Sequence, residues 1–258
     1  MRIALAQIDV KYGNPEENHK TVQAVIERAA AKMADVVVLP EMWNTGYALN
    51  KLDTLADKDA LQTKKLLSRL SLELKINIVG GSVAIERDQK FYNEMLSFNR
   101  EGKLMSSYDK VHRFGLMRED RYITAGSTEN LFSIDEVSAM GVICYDIRFP
   151  EWLRKQAAKG PEIIFVSAEW PSARITQWQL LLQARAIENQ AYVIAVNRVG
   201  NDPDNAFGGD SMVINPLGQI ISKADDRPTL MITEIDLSEV KKVRGQIPVF
   251  KDRRTELY

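Results

Sequence analysis

The chain alternates between short apolar segments and longer amphipathic ones. Short apolar or β-branched runs predict strands, and apolar residues that recur at helical spacing predict helices. Predicted strands lie at 2–10, 35–41, 76–86, 91–99, 104–110, 139–144, 161–170, 191–200 and 229–236, with a hairpin at 211–222. Predicted helices lie at 14–34, 57–75, 149–160 and 174–190. The order of the elements is that of an α/β protein with mixed strand pairing.

Turn and cap residues mark several of the element boundaries. Asn14 precedes Pro15 and two acidic residues, which is the pattern of a helix N-terminus. The sequence "EGK" at 101–103 separates two strands as a hairpin turn, and "PLG" at 216–218 does the same. The tail from 244 onward is irregular and basic.

The inventory is rich in strands. Roughly a dozen strands against four or five helices is more than a single open sheet of ordinary size uses. Two sheets packed face to face, with helices outside, accommodate these elements better. Because no Pro/Gly/Ser-rich linker and no internal repeat divides the 258 residues, we expect one domain spanning 1–258.

Composition narrows the class of protein. Hydrophobic residues make up 45 % of the chain and charged residues 27 %, and the formal net charge is −1. No long basic run suggests a nucleic-acid partner. The first segment turns polar after six residues, and no apolar run approaches the ~20 residues of a membrane span, so neither a signal peptide nor a membrane segment is expected. A single cysteine cannot form an internal disulfide, which favours the reducing cytoplasm.

Three predicted strands end in a residue capable of catalysis, namely Glu41, Lys110 and Cys144. In α/β folds, reactive groups gather at the carboxyl ends of strands. A carboxylate and an ammonium beside a thiol provide acid–base chemistry around a nucleophile. The alternative is a thiol that only packs in the core, with Glu41 and Lys110 as solvated loop residues.

The sequence segments around these residues distinguish the catalytic interpretation from the packing interpretation. The segments "LPEMW", "YDKVHRF" and "GVICYDIRFPE", in that order, resemble the signature segments of the nitrilase superfamily of carbon–nitrogen hydrolases. The resemblance extends from "RIALAQIDV" through "EDRYITAG" and "QARAIENQAYVIAVNRVG" to "GGDSMVINPLGQII". It implies a four-layer α-β-β-α sandwich, which agrees with the strand-rich inventory.

The resemblance also assigns the reactive residues. The family's Glu, Lys and Cys fall on Glu41, Lys110 and Cys144, and its second glutamate falls on Glu119, seven residues before Gly126. It implies hydrolysis of an amide through a cysteine thioester, with no metal and no organic cofactor.

Each residue type suits a step of that reaction. Glu41 would take the thiol proton and later activate water. Lys110 and the backbone N–H of Tyr145 would stabilise the oxyanion. Glu119 would hold the Lys110 ammonium or orient the substrate.

Other arrangements have weaker support. His112, two residues after Lys110, is an alternative base, whereas His19 lies in a predicted surface helix. The Gly pairs lack nucleotide-binding spacing, and the acidic residues lack a metal-loop pattern. Asp146, Arg148 and Glu151 are interpreted as structural, with Arg148 and an acid locking the turn that presents Cys144, and contact with the substrate is the alternative.

The substrate is the least determined feature. The sequence "CYDIRFPE" and the tail look most like the ω-amidase branch, which acts on 2-oxoglutaramate- or succinamate-type monoamides. A deaminated glutathione amidase, an aliphatic amidase, an N-carbamoyl hydrolase and a non-catalytic binding protein are the alternatives. Candidates for substrate binding are Arg113, Arg118, Trp170 and Arg174. The family resemblance also implies a homodimer, with the tail at 245–258 reaching across the partner.

Overall fold

The computed structural model describes residues 1–257 and contains two large β-sheets. The strands are β1 (Arg2–Gln7), β2 (Val36–Val38), β3 (Asp57–Lys58), β4 (Asn77–Arg87), β5 (Lys90–Phe98), β6 (Leu104–Asp109), β7 (Leu131–Ile134), β8 (Val137–Ile143), β9 (Ile163–Ala168), β10 (Tyr192–Asn197), β11 (Val199–Asn201), β12 (Ala206–Gly208), β13 (Met212–Ile214), β14 (Ile220–Lys223) and β15 (Thr229–Glu234). The α-helices are α1 (Pro15–Ala31), α2 (Leu52–Leu55), α3 (Leu61–Leu74), α4 (Glu119–Tyr122), α5 (Pro150–Ala157), α6 (Ile175–Asn189) and α7 (Ser238–Gln246). Within this part of the chain, none of the helices combines the length and hydropathy that a membrane span requires.

Each sheet has a parallel centre. The first sheet has the order β15-β1-β2-β4-β5-β6, with β3 added beside β4, and its strands β1, β2 and β4 run parallel. The second has the order β14-β13-β10-β9-β8-β7, and β8, β9 and β10 run parallel. The remaining neighbours within each path are antiparallel. Parallel strands bring their carboxyl ends to one edge, where loops can assemble a site.

The side chains of β1 show how the layers are arranged. Ile3 and Leu5 belong to a core cluster shared with the second sheet, whereas Ala4 and Ala6 belong to a cluster shared with α1 and α3. Because successive side chains of a strand point to opposite faces, one face of this sheet covers the second sheet and the other covers helices. Leu153 of α5 and Leu182 of α6 extend the first cluster to the outer side of the second sheet. The predicted four-layer α-β-β-α sandwich is confirmed.

The sequence prediction missed the shorter elements and α7. In α7 only Val240 and Val243 are buried, so its sequence carries little apolar periodicity. The helix runs to Gln246 and includes the first two residues of the tail predicted at 245–258. Asn14 does cap α1, since its side-chain oxygen accepts the N–H of Glu17.

Candidate active site

Cys144 lies at the point where β8 ends and a 3₁₀ turn, Cys144–Arg148, begins. Its φ is +44°, in the left-handed region that a side chain with a Cβ rarely occupies. Such a conformation costs about 1–3 kcal/mol and persists only where the surroundings impose it. The thiol is therefore presented by a constrained turn rather than by regular strand geometry.

The carboxylate of Asp146 constrains that turn. One of its oxygens accepts the N–H of Ile143 at 2.9 Å and the hydroxyl of Tyr108 at 2.8 Å. The other accepts the backbone N–H of His112 at 3.0 Å and lies 2.8 Å from its ring Nδ1. Asp146 thus ties the Cys144 turn to the segment that follows Lys110.

Glu41 follows β2 in a loop that crosses the middle of β4 at Gly81 and Ser82. A Cβ at Gly81 would lie 2.0 Å from the carbonyl oxygen of Pro40, and Gly81 has φ +60°. Only glycine allows the two backbones to approach this closely. The N–H of Met42 donates to the Ser82 hydroxyl at 3.0 Å, which fixes the loop on the other side of the carboxylate.

Lys110 continues directly from β6, and its N–H donates to the carbonyl of Asn93 on β5 at 2.9 Å. The N–H of Gly126 donates to the Lys110 carbonyl at 2.9 Å. A Cβ at Gly126 would lie 2.0 Å from the carbonyl oxygen of Asp109. This explains physically why a glycine occupies the position that marked Glu119 in the sequence.

The structure brings Glu41, Lys110 and Glu119 into one buried network. Lys110 Nζ lies 2.8 Å from Glu41 Oε1 and 2.7 Å from Glu119 Oε2. The third donor of the ammonium reaches the Tyr47 hydroxyl at 3.1 Å. All three charged side chains have at most 1 % exposure. Since breaking a buried pair leaves an uncompensated charge, these residues depend on one another for stability.

Tyr47 and Asn93 complete the network, and sequence reasoning missed both. The Tyr47 hydroxyl donates to Glu41 Oε1 at 2.7 Å. The Asn93 amide donates to Glu41 at 2.9 Å and to Glu119 at 3.0 Å. Asn93 stands in the strand predicted at 91–99 beside other polar residues, among them Glu94 and Ser97, so its polarity alone did not identify it.

The network separates the two carboxyl groups electrostatically. Burial opposes ionisation of Glu41, but the Lys110 charge and hydrogen bonds from Lys110, Tyr47 and the Glu169 N–H lower its pKa. For Glu119, burial and the Glu41 charge outweigh Lys110, and the pKa is raised. Burial alone would lower the pKa of Lys110, but the two carboxylates raise it. The arrangement therefore provides an ionised carboxylate at Glu41 and a fixed ammonium beside it.

Cys144 is a neutral thiol in this environment. Burial and the Glu41 charge raise its pKa well above the ordinary value, and Lys110 lowers it by less. A hydrogen bond to Glu41 also favours the protonated thiol. The ionised Glu41 carboxylate thus acts on a neutral thiol, an arrangement in which proton transfer can accompany nucleophilic attack.

A small cavity opens onto Cys144. Tyr145, Trp170 and Arg174 line it, together with Arg148. Arg148 lies 4.9 Å over the Trp170 ring. The Trp170 indole N–H donates to the Arg174 carbonyl at 2.8 Å. The cavity thus combines a thiol at one wall with two arginines at another.

Two of the predicted substrate-binding residues lie elsewhere. Arg113 and Arg118 are exposed and do not line the cavity. The Arg113 guanidinium donates to the carbonyls of Asp120 and Ile123, at 3.3 and 3.1 Å. The arginines that line the cavity are Arg148 and Arg174.

Arg148 was predicted from the sequence to pair with an acid and lock the Cys144 turn, and the structure contradicts this pairing. Within residues 1–257 no carboxylate lies within 4.0 Å of its guanidinium, and Asp146 alone supplies the acid that locks the turn. His112, the alternative base, stacks on Phe149 at 3.7 Å and bonds Asp146, so it supports the turn.

Comparison with known proteins agrees with this geometry. A carbon–nitrogen hydrolase family model matches residues 2–245. The chain is 45 % identical to the 2-oxoglutaramate amidase of Bacillus subtilis (strain 168), covering 99 % of this chain and 98 % of that protein. It is 32 % identical to the ω-amidase NIT2 of Danio rerio, over 100 % and 96 % of the two chains. The crystal structure of a CN-hydrolase superfamily protein from Xanthomonas campestris, with an arsenic adduct in its active site, superposes with a TM-score of 0.92 at 30 % identity, covering 98 % and 97 %.

Proposed function

The chain belongs to the carbon–nitrogen hydrolase family and is an amide-hydrolysing enzyme, and from this premise we propose that it is an ω-amidase. The substrates would be monoamides of short dicarboxylic acids, such as 2-oxoglutaramate and succinamate. The observation that carries the proposal is the pair of arginines, Arg148 and Arg174, in the wall of the Cys144 cavity. The names of the B. subtilis and D. rerio relatives support the same substrate class.

The chemistry begins at Cys144. Its sulfur attacks the amide carbon while Glu41 takes the thiol proton, because Glu41 is ionised and its charge acts on the thiol. The carbonyl oxygen becomes an oxyanion, which needs donors at its new position. The backbone N–H of Tyr145 and the ammonium of Lys110 supply them.

Lys110 must redirect one donor to do this. Its three N–H groups bond Glu41, Glu119 and Tyr47, and the longest of these bonds is the 3.1 Å contact with Tyr47. We expect the oxyanion to replace the Tyr47 hydroxyl. Glu119 has both oxygens engaged, with the N–H of Phe114 as a further donor at 2.7 Å, so its role is to hold Lys110.

The acyl group then leaves in a second step. Glu41 returns the thiol proton to the departing nitrogen, ammonia leaves, and a thioester remains on Cys144. Glu41 next takes a proton from water, whose oxygen attacks the thioester. The products are the dicarboxylic acid and the free thiol, so one water is consumed for each ammonia released. None of these steps uses a metal or an organic cofactor.

The positive charges of Arg148 and Arg174 position the substrate carboxylate. The guanidinium groups of Arg148 and Arg174 contact aromatic rings, Trp170 and Phe114, and make no ion pair within residues 1–257. A guanidinium matches a carboxylate with two parallel hydrogen bonds. An amide at Cys144 and a carboxylate at an arginine define a short molecule with both groups.

Assembly and compartment are part of the proposal. We place the enzyme in the cytoplasm as a homodimer, with residues 247–258 contributing to the dimer contact. The apolar segment at 247–250 supports this role, because Ile247 is 58 % exposed.

A substrate panel with ammonia detection tests the proposal. Succinamate and 2-oxoglutaramate should have a higher kcat/KM than propionamide, nitriles and N-carbamoyl amino acids. Preference for deaminated glutathione would place the enzyme in the neighbouring branch. Preference for propionamide over every carboxylate-bearing amide would contradict the ω-amidase assignment but leave the thioester chemistry in place.

A further inference from the structure

Glu169 is a third acidic residue of the site, and the mechanism above uses only its backbone. It follows β9, is fully buried, and lines the same cavity as Cys144. Its N–H donates to Glu41 Oε2 at 2.8 Å. Its Oε2 accepts from Arg198 Nη1 at 3.3 Å, whereas Oε1 is buried and has no hydrogen-bond partner among the described residues. A buried polar atom without a partner is costly, so a bound ligand is the natural explanation.

A substrate amide has the groups that this oxygen lacks. A primary carboxamide held at Cys144 brings two N–H donors as well as its carbonyl oxygen. Glu41 Oε1 already accepts three hydrogen bonds, and Oε2 accepts the Glu169 N–H. Glu119 also has both oxygens occupied. Of the carboxyl oxygens of Glu41, Glu119 and Glu169, Glu169 Oε1 is therefore the one left free to accept a hydrogen bond from the amide nitrogen.

We propose that Glu169 makes the enzyme selective for primary carboxamides, with Oε1 accepting a hydrogen bond from the substrate nitrogen while Oε2 remains on Arg198. The inference rests on the proposed function, since it concerns the molecule bound at Cys144. It makes Glu169 a specificity-determining residue. A site that places a buried acceptor here rejects analogues that have no N–H to offer.

The charge state of Glu169 is compatible with this role. Burial is the largest effect and, with the charges of Glu41 and Asp202, outweighs Arg198 and raises its pKa to about 8. A hydrogen bond donated by the substrate favours the ionised form. Measurements at about pH 9 keep the carboxylate ionised and compare one form of the residue throughout.

Glu169→Gln reverses the polarity of the contact. The Arg198 guanidinium can only donate, so it selects the carbonyl oxygen of the new side chain. The Gln NH₂ group then faces the substrate NH₂ group, and two donors meet. Glu169→Asp is the second variant, because it keeps a negative charge for Arg198 while withdrawing the oxygen by one methylene.

The test compares two ligands of the same shape. In a Cys144→Ala background, which cannot react, calorimetry measures the Kd of succinamate and of 4-oxopentanoate, in which a methyl group replaces the NH₂. We expect Glu169→Gln to weaken succinamate about 10- to 100-fold, the range for a hydrogen bond to a charged group, and to change 4-oxopentanoate by less than about twofold. Equal weakening of both ligands, or no weakening of succinamate, would overturn the proposal.

A second pair of ligands separates this inference from the ω-amidase assignment. If succinamate does not bind the Cys144→Ala protein, the dicarboxylic substrate is wrong. Propionamide and butan-2-one, titrated by NMR, then report on the nitrogen contact without a carboxylate. Loss confined to propionamide supports the role of Glu169, and parallel or absent losses contradict it.

Discussion

Lys110 Nζ lies 2.8 Å from Glu41 Oε1, and neither side chain is exposed to solvent. The contact keeps Glu41 ionised in a place where burial alone would favour its neutral form. It also keeps Lys110 charged, since the neighbouring carboxylates raise its pKa. In the proposed mechanism one pair of residues therefore supplies both the base and the ammonium, and catalysis and stability depend on the same contact.

Lys110→Met should expose this dependence through pH. The variant leaves Glu41 and Glu119 buried without a cation, so their folded-state pKa values rise above those of the unfolded chain. The protonated carboxyls are tolerated below the unfolded pKa, and stability is lost as the pH rises through the folded pKa. We expect a deficit that is small near pH 5 and reaches about 3–5 kcal/mol near pH 8, measured by urea unfolding. A deficit of the same size at both pH values would show that the pair does not set the charge state of Glu41. Turnover should fall at least ~10²–10³-fold.

Glu41→Gln and Glu119→Gln form a matched pair, because both remove a charge from the same ammonium. In the proposed mechanism only Glu41 acts as the base, so Glu41→Gln should lower kcat by about 10²–10⁴ in both acylation and deacylation. Glu119→Gln should reduce turnover less and leave Cys144 alkylation by iodoacetamide nearly unchanged. Pre-steady-state ammonia release separates the two steps. Equal losses of kcat in the two variants would show that Glu41 is not the base.

Arg148→Met and Arg174→Met test the carboxylate site. Each variant removes a guanidinium from the cavity wall while keeping an unbranched side chain against the aromatic ring. At least one should raise KM for succinamate by about tenfold or more and leave propionamide almost unaffected. Arg113→Met is the control, because Arg113 bonds backbone carbonyls outside the cavity. If the control behaved like the others, a general loss of positive charge would explain the effect.

Part of this site could be predicted from the sequence and part could not. Glu41, Lys110 and Cys144 each follow a strand, so the rule for strand ends and the family wording both point to them. Asn93, inside a strand, and Tyr47, in a loop, both donate to Glu41 Oε1. No local sequence pattern distinguishes these two residues from packing residues. The same holds for the layers. The number of predicted strands suggested two packed sheets and the family resemblance implied the four layers, but α7 buries only two apolar residues and lacks a pattern to detect.

The arginines show a second limit of sequence reasoning. Arg113, Arg118 and Arg174 lie on segments close to the site in sequence, but only Arg174 lines the cavity. Arg148 was interpreted as a structural residue that locks the Cys144 turn together with an acid. Side-chain direction in a 3₁₀ turn decides the outcome, and it places Arg148 over Trp170.

Removal of residues 247–258 tests the dimer. The cut falls after α7, which ends at Gln246, so the helix is retained. The carbonyl of Ile247 accepts from Gln190, and Phe250 lies near the guanidinium of Arg244, so the segment also packs on its own chain. We expect a dimer for the full chain and a shift toward monomer for the truncated one, by light scattering at micromolar concentration. A monomeric full chain, or a truncated chain that stays dimeric, would contradict the proposal that residues 247–258 form part of the dimer contact.

The most direct test of the account is the mass of the enzyme during turnover. In rapidly quenched reactions with succinamate, intact-mass and peptide analysis should find one succinyl group on Cys144, formed together with ammonia and lost as the acid appears. Cys144→Ala should stay folded, carry no adduct and retain less than about a hundredth of the activity, given the size of nucleophile effects. An acyl group on another residue, or ammonia release by Cys144→Ala near the normal rate, would contradict the claim that Cys144 is the nucleophile.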